Sequence, residues 1–179
     1  MAQGMLSARL AGRGVAAPVA SAGLLGSGWP PPPEVISVMA ARGIDVTGHR
    51  SRAVTADDLA AADLIIGLAR EHVRHAAVLR PEAWPRAFTL RELVRRGEQA
   101  GSRARAEPLG DWLARAADRR SRLDLLGRHP ADDVADPVGG PLPGYQATAE
   151  LLDRLTRDLV ELGWPRERAG GAAPRVRSE

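Results

Sequence analysis

The residue that first suggests chemistry is a carboxylate, Asp136, in the stretch ADDVADPVGG (131–140). Pro137 follows it directly, and a residue before proline is restricted to extended backbone. Two glycines, Gly139 and Gly140, then complete the turn. A carboxylate on such a rigid mount can serve as a general acid or base if a reacting group faces it. The same pattern is also typical of a plain turn, which is the more frequent meaning of Asp-Pro-x-Gly on its own.

The histidines offer a second kind of chemistry. His49 follows Gly48 in a connector, where it is either a surface residue or a support for a neighbouring loop. His72 and His75 lie three residues apart on a predicted helix, next to Glu71. Because a helical zinc site prefers histidines four residues apart, this group predicts a solvated helix face. We expect neither a metal nor a cofactor.

Composition excludes several classes of function. The 179 residues contain no cysteine, so disulfides, thiolate metal sites and thiol-based catalysis are excluded for the chain as written. The formal net charge is +3, but only 3% of the residues are aromatic. Since nucleic-acid binding favours a basic face interleaved with stacking aromatics, we expect no nucleic-acid partner. The chain has no apolar run long enough to span a membrane and no secretory signal, so we expect a cytoplasmic location.

The elements that must position these groups alternate between helices and strands. Predicted helices are MAQGMLSARLAGRG, PEVISVMAARG, a short helix capped by Thr55, REHVRHAAVLR, and YQATAELLDRLTRDLVELGW with its leucine face. Predicted strands are PVASAG, RAFTL and ADLIIGLA, a continuous apolar run that indicates a buried parallel strand. This alternation predicts a three-layer α/β fold with a doubly wound parallel sheet. In such sheets, ligands bind at the carboxyl ends of the strands.

We expect one domain over residues 1–164, with a helical insertion at residues 91–129 and a disordered tail at residues 165–179. The stretch from 91 to 128 holds ten arginines against six acidic residues. This excess could bind phosphate or RNA, but a salt-bridged helix surface is the commoner meaning. Trp29, beside a run of prolines, either lines the entrance of a site or anchors a loop.

Five pieces of the chain, in order, resemble the low-molecular-weight protein tyrosine phosphatases. They are MAQGMLSARL, SAG (21–23), ARGIDVTGHRSR, AADLIIGLAREH and DPVGG. The resemblance implies a cysteine thiolate that attacks phosphotyrosine, held with its phosphate in a Cys-(x)5-Arg loop. It further implies that Asp136 is the general acid and then the general base, and that His49 supports the phosphate loop through a hydrogen bond.

The resemblance also implies a first strand and a Cys-(x)5-Arg loop that these residues do not include. In the family, this loop is followed directly by residues similar to MAQG, which here begin at Met1. Either translation starts upstream and Met1 is an internal methionine, or the chain is a truncated relative that has abandoned catalysis. We favour the upstream start, because losing an internal strand leaves two rows of backbone groups unpaired and opens sheet edges to association.

We therefore predict a low-molecular-weight phosphatase-like protein, active on phosphotyrosine proteins or small phosphomonoesters if the upstream loop exists. The chain as given is predicted to be inactive. Val138 stands where the family usually has an aromatic residue, which leaves the substrate preference open. The alternative is a non-catalytic interaction protein that binds an acidic partner through its Arg-rich helices.

Overall fold

The computed structural model describes residues 1–24, 26–127 and 129–166. Within these ranges, helices and short strands follow one another in the predicted order. The elements are α1 (Ala2–Ala11), α2 (Pro33–Ala40), α3 (Ala56–Ala61), β1 (Ile65–Gly67), α4 (Arg70–Leu79), β2 (Ala87–Thr89), α5 (Leu90–Ala100), α6 (Leu109–Ala116) and α7 (Leu142–Gly163), with 3-10 segments at Pro81–Arg86 and Arg122–Leu125. Nearly all of the tail predicted at residues 165–179 lies outside the described residues.

The sheet is parallel, as predicted. β1 pairs with β2 so that Ile65 lies opposite Ala87. Successive side chains of a strand point to opposite faces. Ala87 packs with Val73 of α4, whereas the next residue, Phe88, belongs to the main core that α7 helps to build. Helices therefore cover both faces of the sheet, and the predicted α/β class is confirmed.

Two predictions about the strands are wrong in detail. Exposure alternates along residues 18–22 of the stretch PVASAG (18–23), but the stretch forms no strand and makes one isolated bridge, between Gly23 and Ala53. The run ADLIIGLA was expected to be buried, yet Ile65 and Ile66 are only half-buried. Both differences have one physical reason. Among the described residues, no strand pairs with the second edge of β1, and PVASAG has no ladder partner.

Side-chain caps determine where two of the helices begin. Thr55 caps α3 as predicted: its hydroxyl accepts the backbone N–H of Asp58 at 3.2 Å, and Asp58 accepts the N–H of Thr55 at 2.9 Å. The Arg52 guanidinium, 2.6 Å away, holds the pKa of Asp58 well below its usual range. Thr89 caps α5 in the same reciprocal way with Glu92. A cap of this kind is worth about 1 kcal/mol.

The long helix α7 organises the main core, since it packs against α1, α2 and α5. Its predicted leucine face is confirmed: Leu152 and Leu159 are buried, and Leu151, Leu155 and Leu162 lie half-buried against the same core. None of the described helices is long and apolar enough to cross a membrane.

The Arg-rich stretch at 91–129 is largely helical, as predicted: it contains most of α5 and all of α6, and both contribute to this core. Trp112 of α6 is fully buried, and its indole N–H donates to the Gly101 carbonyl at 2.9 Å. Arg120, whose side chain is 2% exposed, lies 3.9 Å from the ring centroid of Trp84 and 4.1 Å from that of Phe88. This stretch is therefore packed into the domain, and its status as an insertion remains a prediction.

Candidate functional site

Asp136 is exposed and lies in the Asp-Pro loop, defined here as residues 134–140. Its Oδ1 accepts the backbone N–H of Val138 at 3.1 Å, which is the local hydrogen bond of an Asx turn. Within the described chain, its Oδ2 has no hydrogen-bond partner. The Gly139 N–H donates to the hydroxyl of the buried Tyr145 at 3.3 Å. The turn is thus rigid at both ends, while one carboxylate oxygen stays open to solvent.

Two consecutive carboxylates tie this loop to the helices. Asp132 is 6% exposed and accepts N–H groups from Arg70 at 2.7 and 2.8 Å and from Arg95 at 2.8 Å. Asp133 accepts the backbone N–H of Arg70 at 2.8 Å, a group that the first turn of α4 leaves free. We refer to Asp132, Asp133, Arg70 and Arg95 as the clasp. It links the approach to the loop with both α4 and α5.

The clasp is charged at neutral pH. Burial alone raises the pKa of Asp132, but the hydrogen bonds from Arg95 and Arg70 outweigh burial and lower that pKa below its ordinary value. Because Arg70 is only 15% exposed in its side chain, its pairing with Asp132 is screened little by solvent. The clasp can therefore hold the loop firmly.

A backbone hydrogen bond sets where the loop leaves the sheet. The N–H of Val134 donates to the carbonyl of Leu68 at 2.7 Å, and Leu68 directly follows β1. The hydroxyl of Thr148 in α7 donates to the carbonyl of Ala135 at 3.4 Å. The loop that carries Asp136 thus starts at the carboxyl end of a parallel strand, the edge at which open α/β sheets bind ligands.

The second edge of β1 has no partner strand among the described residues. Segment 18–22 makes no backbone ladder with any described strand. It is held instead by Gln3 of α1, whose amide donates to the Val19 carbonyl at 3.0 Å and accepts from the Ser21 hydroxyl at 2.6 Å. The segment and the second edge of β1 both present backbone groups that have no partner strand in the part of the chain described.

His49 is exposed, and its backbone N–H donates to the Val46 carbonyl at 3.0 Å. Among the described residues, its imidazole makes no hydrogen bond. The structure therefore does not bring His49 into contact with Asp136 or with the clasp, and its role in supporting a phosphate loop remains a prediction.

The loop at Trp29 is anchored through its backbone. The Trp29 N–H donates to the Ser51 hydroxyl at 3.0 Å, and the Ser51 N–H donates to the Trp29 carbonyl at 2.9 Å. The indole itself is 71% exposed. Of the two interpretations of Trp29, the backbone contacts favour a loop anchor, and the exposed ring remains free for other contacts.

The chemistry open to this site is proton transfer at one carboxylate. Asp136 can give or take a proton at Oδ2, whereas no residue of the sequence supplies a thiol. Among the described residues, no group of His, Cys, Asp and Glu side chains could hold a metal ion. Nδ1 of His72 accepts the backbone N–H of Ala69 at 3.0 Å, so this histidine has a capping role at the start of α4.

The clasp and Gln3 were not identified from the sequence. Arg70 and Asp132 are 62 residues apart, and no spacing rule connects them. One local signal existed, since the Asp132–Asp133 pair directly precedes a predicted rigid turn. Buried carboxylates require partners, so this pair indicated arginines nearby without saying which ones.

Comparisons with known proteins agree with this architecture. A family model described as low molecular weight phosphotyrosine protein phosphatase matches residues 1–109. The solved low molecular weight protein tyrosine phosphatase from T. tengcongensis is 28% identical, with a TM-score of 0.65, over 89% of this chain and 87% of that one. The arginine phosphatase YwlE from Geobacillus stearothermophilus is 22% identical, with a TM-score of 0.62, over 89% and 80%. The Erwinia amylovora tyrosine phosphatase amsI is 16% identical, with a TM-score of 0.64, over 89% and 81%. The last two show the fold alone, and no curated protein matches the chain.

Proposed function

Because the chain belongs to the low molecular weight phosphotyrosine protein phosphatase family, we propose that Asp136 is the proton donor and acceptor of a phosphomonoester hydrolase. The observation that supports this most is the hydrogen bond from Val134 to Leu68. It starts the Asp-Pro loop at the carboxyl end of β1, with the clasp holding the residues just before it. An exposed carboxylate two residues later suits a group that must reach a bound substrate from outside the sheet.

The proposed reaction follows the family's chemistry. A cysteine thiolate attacks phosphorus, the bond from phosphorus to the phenol oxygen breaks, and Asp136 gives its proton to the departing phenolate. The ionised Asp136 then takes a proton from the water that attacks the phosphocysteine. Phosphate leaves, the thiolate is regenerated, and the carboxyl group has its proton again. The free Oδ2 of Asp136 is suited to both transfers.

These 179 residues contain no cysteine, so they do not complete that reaction by themselves. The thiol and the phosphate-binding arginine would have to come from a strand and a Cys-(x)5-Arg loop, and we propose that this strand would lie between β1 and segment 18–22. The second edge of β1 and segment 18–22 both have backbone donors and acceptors without a partner strand among the described residues, which suits an added parallel strand.

For the substrate, we propose protein phosphotyrosine or a small aryl phosphomonoester. Val138, at the tip of the Asp-Pro loop, is 67% exposed. A branched aliphatic group gives apolar contact but no ring stacking, so we expect a weaker preference for aryl over alkyl phosphates than an aromatic residue would give. The cytoplasmic location also remains a prediction.

The alternative, an interaction protein that uses its Arg-rich helices, is not favoured by the contacts of those arginines. Arg96 and Arg120 both bond to the buried Glu92, at 3.0 and 2.6 Å. Arg115 bonds to Glu107 at 2.8 Å. These guanidinium groups are engaged inside the domain, so a partner would have to break existing ion pairs.

The test uses p-nitrophenyl phosphate and two proteins. The first is the 179-residue chain, for which we expect no turnover above buffer. The second is a fusion protein in which an apolar strand and a Cys-(x)5-Arg loop are joined to the amino terminus at Met1, and for it we expect turnover. In the fusion protein, Asp136→Asn should lower kcat by about 10²–10⁴-fold, the usual contribution of a general acid.

The matched control is Asp63→Asn, an exposed carboxylate outside the loop, which should leave kcat unchanged. A fusion protein with native-like circular dichroism whose kcat is unaffected by Asp136→Asn would contradict the proposal. Turnover by the 179-residue chain that disappears with Asp136→Asn would contradict the requirement for a thiol.

A further inference from the structure

A cluster of arginine side chains lies away from the Asp-Pro loop. An open cleft of about 560 Å³ is formed where the carboxyl ends of α1 and α7 meet. Four arginines line it, together with Glu161: Arg9, Arg13, Arg157 and Arg166. Helix α1 has ten residues, which corresponds to about 15 Å. Its first turn carries Gln3, which bonds to segment 18–22, so the cleft lies at the opposite end of the helix.

Two of these guanidinium groups are held in place. Arg9 donates to Asp153 at 2.6 Å and to the Thr156 hydroxyl at 3.3 Å. Arg13 is 13% exposed in its side chain and donates to the Trp164 carbonyl at 2.6 Å. Each arginine has five N–H donors, so both retain further donors after these bonds. Donors fixed in this way lose little conformational entropy when they bind a ligand.

The other two arginines are less neutralised. Arg157 is 46% exposed and pairs with its sequence neighbour Asp158 at 3.5 Å. Arg166 is exposed and has no carboxylate partner in the described part of the chain. Against the four arginines stand the carboxylates of Asp153, Asp158 and Glu161, so the cleft keeps a positive charge.

The carboxyl end of a helix normally repels anions, but here its carbonyls are already bonded. The Leu162 carbonyl accepts the backbone N–H of Arg103 at 2.8 Å. The Gly163 carbonyl accepts Nε of Arg103 at 2.5 Å, and the Trp164 carbonyl accepts from Arg13. These bonds reduce the local negative potential that an anion in the cleft would otherwise meet.

We propose that this cleft is an anion site for an oligophosphate, a ligand with two or more linked phosphoryl groups. The planar fork of an arginine matches two oxygens of a phosphoryl group, and arginines from two helices can each bind a different group. The open cleft is larger than one phosphate needs. The site would act independently of the Asp-Pro loop, as a place where a phosphorylated metabolite or polymer binds the domain.

The test is an isothermal titration calorimetry experiment in which the full chain is titrated with inorganic tripolyphosphate at low ionic strength. We expect saturable binding at one site, weaker binding of inorganic phosphate, and affinity that falls as salt is added. The double variant Arg157→Gln with Arg166→Gln should raise Kd by about tenfold or more, since a charge-assisted hydrogen bond is worth at least one factor of ten.

The control variant removes two arginine charges from outside the cleft. Arg91→Gln with Arg119→Gln should change Kd by less than about twofold, because both lie outside the cleft. Equal losses in the two double variants would overturn the proposal in favour of diffuse electrostatic attraction, and so would the absence of saturable binding. Asp136→Asn should leave Kd unchanged, and a change there would overturn the independence of this cleft from the Asp-Pro loop.

Discussion

Replacing Asp132 by asparagine tests the clasp. The change keeps the size of the side chain but removes the charge that pairs with Arg70 and Arg95. Removing one partner of a buried ion pair costs about 3–5 kcal/mol. The Arg95 side chain is 43% exposed, so solvent screens the ion pair between Arg95 and Asp132. An asparagine at position 132 can still accept one hydrogen bond. We therefore expect a loss of about 2–3 kcal/mol in the free energy of unfolding.

Urea denaturation followed by tryptophan fluorescence measures this loss. With an m-value of about 2 kcal/mol per molar urea, the midpoint should fall by roughly 1 M. Asp63→Asn, an exposed change of the same chemistry, should cost at most about 0.5 kcal/mol. Hydrogen exchange in the Asp132→Asn variant should accelerate at the Val134 amide, and at the buried Trp112 it should accelerate by no more than the loss of global stability accounts for.

The pH dependence of the free energy of unfolding gives a second test of the contribution of Asp132. The pKa of Asp132 is lowered in the folded state, so the unfolded chain binds a proton first as pH falls. The stabilisation is complete above the ordinary carboxyl pKa of about 4 and is lost below it. The difference in stability between the native chain and Asp132→Asn should therefore shrink as pH is lowered from 5 towards about 3. A difference below about 0.5 kcal/mol at neutral pH, or one that grows on acidification, would refute this reasoning.

The remaining predictions concern packing. Arg120→Met leaves the buried Glu92 without its closest cation, and it should lower the free energy of unfolding by about 3 kcal/mol, while the exposed Arg119→Gln should change it by less than about 0.5 kcal/mol. Gly97→Ala places a Cβ 3.0 Å from a ring carbon of Trp112 and should cost about 1–3 kcal/mol. Gly110→Ala meets no atom within 4 Å and should instead stabilise the chain by about 0.5–1 kcal/mol. Thermal unfolding followed by circular dichroism measures all four, and equal shifts for the two glycine variants would contradict the packing described.

Much of the local structure could be predicted from sequence because its causes are local. The cap at Thr55 and the leucine face of α7 each depend on residues within a few positions, so pattern and spacing were sufficient. The strand prediction for PVASAG failed because strand pairing has a non-local cause. A strand exists only with a neighbour, and no property of those six residues says whether the neighbour is present.

The site was predicted in part. The rigid turn at Asp136 follows from Pro137 and the glycines, which are adjacent in sequence. The clasp could not be predicted, because Arg70 and Asp132 meet only after the fold has formed. The buried stack of Arg120 over Trp84 was missed, because the composition of the Arg-rich stretch predicted a helix surface. Whether an arginine is buried depends on which side chains the fold places around it.

The most direct measurement of the role of Asp136 compares two substrates in the fusion protein that contains a Cys-(x)5-Arg loop. A general acid matters most when the leaving group is a poor one, so Asp136→Asn should reduce the hydrolysis of phenyl phosphate far more than that of p-nitrophenyl phosphate. If both substrates lose the same factor, or neither loses any, Asp136 does not protonate the leaving group.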